Sequence, residues 1–276
     1  MLSVIIVHYR TPDRLVRCLD ALSRAFIPAT AECIVVDNGS GRDEELARIC
    51  ENGPKPITLV SSGNNEGLAS AANRAFRISR GKYILNLNPD VTVSPHSVGI
   101  LYRFLEDHPD VGAVFPKLLN QDGSLQLSCR RFYDLPTVIL RRTPLHRLMG
   151  KVHVDRHLMT DFDHRSVRNV DWALGAAFLV RREALYPGNR LFDRRYFLYF
   201  EDVDLCMGLR RRGWRVVYHP EAVMIHDHIR RSASKPFSRA NWEHFISYLK
   251  FSLKQSGCKA YPINPSTERF HVEATG

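Results

Sequence analysis

Four apolar runs in the sequence end in a carboxylate or an imidazole. Tyr83-Ile84-Leu85-Asn86-Leu87 stops at Asn88-Pro89-Asp90, where Pro has no N–H to give a sheet. Val35-Val36 ends at Asp37, Phe197-Leu198-Tyr199-Phe200 meets Glu201-Asp202, and Val223-Met224-Ile225 ends at His226. In open α/β sheets the ligand crevice lies outside the carboxyl ends of the strands, so the four ends are expected at one edge. A hard divalent cation held by Asp90, with His226 as second ligand, would neutralise charge on a leaving diphosphate. Asp202, kept off the metal, could take a proton from an incoming hydroxyl, its basicity raised by Glu201 and Asp204 nearby. Taken alone, Asn88-Pro89-Asp90 reads more simply as a turn whose Asp bonds its own backbone. Asp204 reads as a helix cap, and His8 and His219 as ordinary strand-edge histidines.

The elements needed to position these groups are legible in order. Leu2 to Val7 reads as a buried strand, and Thr11-Pro12 as a cap and first residue of a helix carrying Leu15, Cys18, Leu19, Leu22 and Phe26 on one face. Glu32 to Val36 is a second strand, followed by a short helix with Leu46, Ile49 and Cys50, then a third strand from Ile57 to Val60. The polar loop 61–67 precedes a small-residue helix, Leu68 to Ile78. After the strand that ends near Asp90, Ser94-Pro95 is expected to cap a helix, and Val111 to Phe115 forms a further strand. The alternation argues for an α/β fold with a mostly parallel central sheet and helices on both faces.

From Asn120 the character changes. Asn120 to Gly123 is a hairpin-type turn, and residues 129–169 hold nine Arg or Lys against four Asp among apolar side chains. That basic excursion fits a segment lying against anionic lipid, a lid over an acceptor site, or a solvated insertion. Val170 to Val180 reads as a strand-like run. The helix after Asp202 is stopped by Gly213, and Val216 to Tyr218 and Val223 to Ile225 read as short strands. Ser238 is expected to cap a final amphipathic helix in which Trp242, Phe245, Ile246, Leu249 and Leu253 share a face, followed by a loose tail.

At 276 residues, 44% hydrophobic and 25% charged, the chain has the composition of a globular protein. Its net charge of +10 favours anionic partners. The six cysteines show no zinc-type spacing and read as buried thiols of a reducing compartment. No leader peptide and no membrane-spanning run is read from the sequence. The glycine patterns of dinucleotide enzymes and P-loops are missing.

The ordered set Ser3 to Val7, Val35-Val36-Asp37-Asn38-Gly39-Ser40, Asn65-Glu66-Gly67-Leu68-Ala69 with Asn73, Leu87-Asn88-Pro89-Asp90, Asp171 to Ala176 and Tyr199 to Leu205 resembles family 2 glycosyltransferases. It is most similar to their rhamnosyltransferase-like branch, from residue 2 to about 230. The resemblance implies a GT-A fold, with residues 1–118 as the nucleotide-sugar half, 119–235 as the acceptor half and 236–276 as a terminal helix and tail. It implies an inverting single displacement with Mg²⁺ or Mn²⁺. Asp37, Asn65, Gly67, Asn73 and Asn88 would surround the nucleotide, with Asp90 and His226 on the metal and Asp202 as base. Trp172, Gly175 and Glu201 would line the acceptor side. Asn88 stands where many relatives carry a first Asp, which leaves one fewer charge on the metal.

By the same analogy the donor is dTDP-L-rhamnose or, alternatively, a UDP-sugar. The acceptor is a saccharide, free or linked to a lipid diphosphate, in assembly of a bacterial surface polysaccharide. Work in the cytoplasm at the inner membrane face is expected, with an anionic bilayer as partner and no nucleic acid. The oligomeric state stays open, a homodimer included. Two other classes compete: a basic module for anionic lipid or nucleic acid on a degenerate scaffold, and a nucleotidyltransferase, which lacks its glycine- and lysine-rich phosphate loop here.

Overall fold

The computed structural model describes residues 1–28, 30–51, 53, 57–132, 151–185, 190–227 and 239–256. In chain order the first half runs β1 (Leu2–His8), α1 (Pro12–Ser23), β2 (Ala31–Asp37), α2 (Asp43–Glu51), β3 (Ile57–Ser61), α3 (Leu68–Ile78), β4 (Tyr83–Leu87), β5 (Val91–Val93), α4 (Ser97–Asp107) and β6 (Val111–Leu119). The second half adds β7 (Cys129–Arg130), α5 (Lys151–Leu158), β8 (Arg168–Asn169), β9 (Trp172–Ala173), β10 (Ala177–Arg181), α6 (Glu201–Arg211), β11 (Arg215–His226) and α7 (Arg239–Ser256).

One sheet organises both halves, in the order β3-β2-β1-β4-β10-β6-β11-β5, with β8 beside β11. The pairs β3-β2, β2-β1, β1-β4 and β6-β11 are parallel. Because β10 runs antiparallel to both β4 and β6, strands 1 to 4, 6 and 11 all point the same way, which makes the sheet mostly parallel. Alternation along β1 sends Val4 and Ile6 to a core with Leu15 and Leu19 of α1, Leu46 of α2 and Leu101 of α4. Ile5 faces the opposite core, with Ala72 and Phe76 of α3, Leu205 and Leu209 of α6 and Phe251 of α7. Helices therefore cover both faces, as parallel sheets require.

Several local expectations are corrected. Phe197 to Phe200 is no strand: it is a bend in which Tyr199 and Phe200 take φ of 69° and 68°, so Glu201-Asp202 begins a helix rather than ending a strand. The run from Val170 to Val180 breaks into β9 and β10 around Leu174 to Ala176, and the two expected strands near Pro220 are one strand, β11, with a register shift. A proline inside a strand is tolerated at such an irregularity. Ser94 does not cap α4; its hydroxyl donates to the Val223 carbonyl at 2.7 Å and ties that helix to β11. Phe26 lies past the end of α1 and is exposed, stacked on His96. Five cysteines are free and buried, and Cys258, like Ser238 and the tail, lies outside the described residues. So does residues 133–150 of the basic excursion. No helix among the described residues is long and apolar enough to cross a membrane.

Candidate active site

The parallel register of β1 and β2 sets His8 opposite Asp37 at the carboxyl edge. The Thr11 N–H donates to His8 Nε2 at 2.9 Å, so that nitrogen carries a lone pair and the ring proton sits on Nδ1. Nδ1–H then donates to Asp37 Oδ1 at 3.2 Å, with both groups buried. Burial, the strongest influence, holds the imidazole below its ordinary pKa despite the carboxylate, consistent with a neutral ring. The Ser40 N–H reaches both oxygens of Asp37, at 3.2 and 3.0 Å, closing the turn.

Loop 61–67 packs on that turn. Asn38 donates to Asn65 Oδ1 at 3.0 Å, and the Gly67 N–H donates to the same oxygen at 3.0 Å. Gly67 has φ of 85°, and a Cβ there would stand 2.6 Å from the Phe197 carbonyl, so the chain needs glycine to start α3 against the bend before Asp202. The Leu68 N–H donates to that same carbonyl at 2.8 Å. Asn73 is fully buried, and its amide is used inside the fold: Nδ2 donates to the Phe192 carbonyl at 2.8 Å, and Oδ1 accepts from the N–H groups of Leu191 and Phe192. It clamps the 190s segment rather than facing a crevice.

Asp90 follows β4 in a turn closed by the Val91 N–H to the Asn88 carbonyl at 3.1 Å. Arg14 of α1 donates to Asp90 Oδ2 at 3.1 Å and also contacts Asp227 at 3.4 Å. His226 lies opposite Val91 in the sheet, and its Nε2 stands 3.5 Å from Asp90 Oδ1. Its Nδ1 is 2.7 Å from Gln126 Oε1, an acceptor only, so Nδ1 is the protonated nitrogen in that contact. Asp90 Oδ1 is buried without a hydrogen-bond partner. Burial works to raise this carboxyl, but contacts with His226 and Arg14 outweigh it and hold it below its ordinary value.

Asp202 sits in the first turn of α6. The Gly175 N–H donates to its Oδ2 at 2.9 Å and the Val203 N–H to its Oδ1 at 2.8 Å. Gly175 is itself fixed by Asn86 of β4, whose Nδ2 donates to the Gly175 carbonyl at 3.0 Å. The two positive φ angles before Asp202 are costly for aromatic residues and persist because α7 packs on them, with Phe251 and His244 against the Phe200 ring. Burial raises the Asp202 carboxyl above its ordinary value, and backbone N–H groups act against that rise. Glu201 is 7% exposed, its Oε2 has no hydrogen-bond partner, and burial followed by the charge of Asp202 pushes it upward too. Trp172 is buried, its Nε1 donating to the Arg131 carbonyl at 3.0 Å, so it supports the 171–176 loop from behind. Asp204 is not a cap: it is buried and accepts from Lys254 of α7 at 2.7 Å.

The edge is continuous. The Asn88 N–H donates to the Ala176 carbonyl at 2.8 Å, next to the residue that holds Asp202, so the Asp90 turn and Asp202 flank one short segment. His8, Arg14, Asn38, Asn86 and Gln126 are the supporting residues that sequence reasoning passed over. Two of them carried a signal: His8 directly follows the first expected strand, and Asn38 lies within the Asp37 to Ser40 motif.

Comparison with known proteins gives a consistent result. The family described as Glycosyl transferase family 2 matches residues 3–186. The N-acetylglucosaminyl-diphospho-decaprenol L-rhamnosyltransferase of Mycobacterium tuberculosis is 30% identical over 95% of this chain and 88% of its own length. The rhamnosyltransferase WbbL of Escherichia coli is 28% identical over 92% and 94%. Among solved structures, the mannosyltransferase PcManGT of Pyrobaculum calidifontis, in complex with GDP-Man and Mn²⁺, superposes with a TM-score of 0.58 at 18% identity, covering 94% of this chain and 76% of that one.

Proposed function

The chain belongs to glycosyltransferase family 2, and from that premise we propose that it is an inverting, metal-assisted rhamnosyltransferase. In this reading it moves L-rhamnose from dTDP-L-rhamnose to a hydroxyl of a saccharide carried on a lipid diphosphate. The observation that carries the proposal is the placement of two carboxylates with different surroundings, Asp90 and Asp202, on either side of the 174–176 segment.

The acceptor hydroxyl gives its proton to Asp202 while its oxygen attacks the anomeric carbon from the face opposite the diphosphate. The C1–O bond to the diphosphate breaks, its electron pair leaves with the phosphate oxygen, and the configuration inverts. Gly175 and Val203 aim the carboxylate, and burial makes Asp202 a better base than an exposed Asp. Asp37, oriented by His8, together with Asn65, Gly67 and Asn88, borders the nucleotide. Asn73 drops out of this group, because its amide is engaged within the fold.

The residues at Asp90 fit Mg²⁺ or Mn²⁺. A buried carboxylate oxygen without a hydrogen-bond partner stands 3.5 Å from an imidazole nitrogen, and a site of one or two protein ligands is usual where substrate phosphates complete the shell. The chemistry such an ion supplies when bound is charge neutralisation on the departing diphosphate. Residues 1–118 then form the donor half, and 119–235 the acceptor half.

Thermal-shift binding of dTDP, UDP, GDP and their sugars, with Mg²⁺, Mn²⁺ or chelator, tests the reading. Metal-dependent stabilisation greatest with dTDP-L-rhamnose is the expected result. Preference for a UDP-sugar would replace the donor, and no shift with any nucleotide would overturn the proposal.

A further inference from the structure

The C-terminal helix α7 is patterned in reverse for a helix that packs on a domain. Its polar side chains point inward: Ser247 donates to the Leu198 carbonyl at 2.8 Å, Lys250 to the Arg195 carbonyl at 2.8 Å, and Lys254 to Asp193 and Asp204 at 2.8 and 2.7 Å. Phe251 anchors the same side against Phe200. The large apolar side chains point outward, with Trp242 63%, Phe245 39%, Leu249 43% and Leu253 73% exposed. Spacings of three, four and four residues put these on one stripe about 16 Å long. The Trp242 and Phe245 rings lie against each other at one end, 5.9 Å apart.

Soluble folds rarely leave four such residues contiguous in water, and here the inward polar contacts hold them there. The segment beneath the helix adds positive charge at the surface, with Arg194 and Arg195 exposed, Arg195 also paired with Asp193. The chain as a whole carries +10. A second copy would place the stripe at the centre of an interface of roughly 20 residues a side, an occupant that the oligomeric state in the test below reads directly. A helix with an aromatic and aliphatic stripe beside basic groups is instead the pattern that lies in a headgroup layer.

We propose that α7 is a bilayer-docking surface, its Trp242–Phe245–Leu249–Leu253 stripe seated among anionic lipids. This rests on the lipid-linked acceptor proposed above for its purpose. The helix covers the bend that leads into Asp202, so docking there would set the acceptor side of the enzyme near the membrane plane.

The test is co-sedimentation of the full chain with phosphatidylglycerol-containing vesicles and with pure phosphatidylcholine vesicles, for wild type, Trp242→Ser/Leu253→Ser and Arg194→Glu. Wild type should bind the anionic vesicles preferentially, and the double variant should lose at least ~10-fold in binding, because two large apolar side chains no longer leave water. Arg194→Glu should bind more weakly, and added salt should weaken binding of wild type. No vesicle binding by wild type, or equal binding by the double variant, would overturn the proposal. So would a wild-type dimer that the double variant abolishes, which would assign the stripe to a second copy. The nucleotide and metal thermal shift, run on the same samples, reads the transferase separately: a normal shift without vesicle binding sinks only the docking surface, and vesicle binding without any shift sinks only the transferase assignment.

Discussion

The backbone N–H of Gly175 donates to Asp202 Oδ2 at 2.9 Å, and only glycine fits there, since a Cβ at position 175 would stand 2.9 Å from the Cβ of Asp202. The loop between β9 and β10 therefore places the carboxylate directly. Gly175→Ala should push Asp202 off its line and lower kcat by about 10²-fold, the scale on which a misplacement near 1 Å acts. The nucleotide and metal thermal shift should persist. A variant with wild-type kcat would show that Asp202 tolerates displacement.

Asp202→Asn keeps the shape but only one of the two backbone contacts, because its amide nitrogen cannot accept from a second N–H, and it cannot take the proton. Turnover should fall by at least ~10²-fold while binding of the nucleotide donor survives. Retention of most of the turnover would remove Asp202 from the role of base.

For Asp90→Asn the expected loss is in metal binding itself. Mn²⁺ affinity in the presence of dTDP, followed by electron paramagnetic resonance, should weaken at least ~10-fold when the anionic oxygen beside His226 becomes an amide. Unchanged affinity would place the ion elsewhere.

Asn73→Ala strands two buried N–H groups and a carbonyl at Leu191 and Phe192. At about 1–3 kcal/mol for each stranded group, with partial relaxation, the fold should lose about 2–5 kcal/mol in urea denaturation. A loss below about 1 kcal/mol would mean that Asn73 is not a clamp.

Burial, then the charge of Asp202, holds Glu201 above its ordinary carboxylate value. The fold thus favours the protonated acid: that contribution to stability is complete below the ordinary value and is lost as pH rises through the raised one. Thermal melts across this range should show wild type losing Tm as pH rises. Glu201→Gln, which never charges, should lose less. Parallel curves for the two proteins would show that Glu201 does not titrate within the fold.

Much of the fold was legible because its signals are local. Leu68 to Ile78 reads as a helix from its small apolar face, and α3 has those bounds. Pro89 ends a strand by lacking an N–H, and Gly213, at φ of 84°, closes α6. The site was legible in part. Asp37 and His226 do end strands, but Tyr199 and Phe200 have β-type side chains and read as strand, and only packing by α3 and α7 holds them in left-handed geometry. For a related reason the apolar period of α7 was visible in sequence but the side that meets the domain was not, because that depended on Lys254 reaching Asp193 and Asp204.

The amino-acid order by itself determined the succession of strands and helices, the turn at Asp90 and the family, since period, turn chemistry and motif order reside in neighbouring residues. Tertiary structure alone decided what each polar side chain does. Asn73 is engaged by Phe192 at a separation of 119 residues, Asn86 by Gly175 at 89, and Asp37 by His8 at 29. A buried donor or acceptor takes whichever partner the packed sheet brings within about 3 Å, and that choice exists only once the chain has closed.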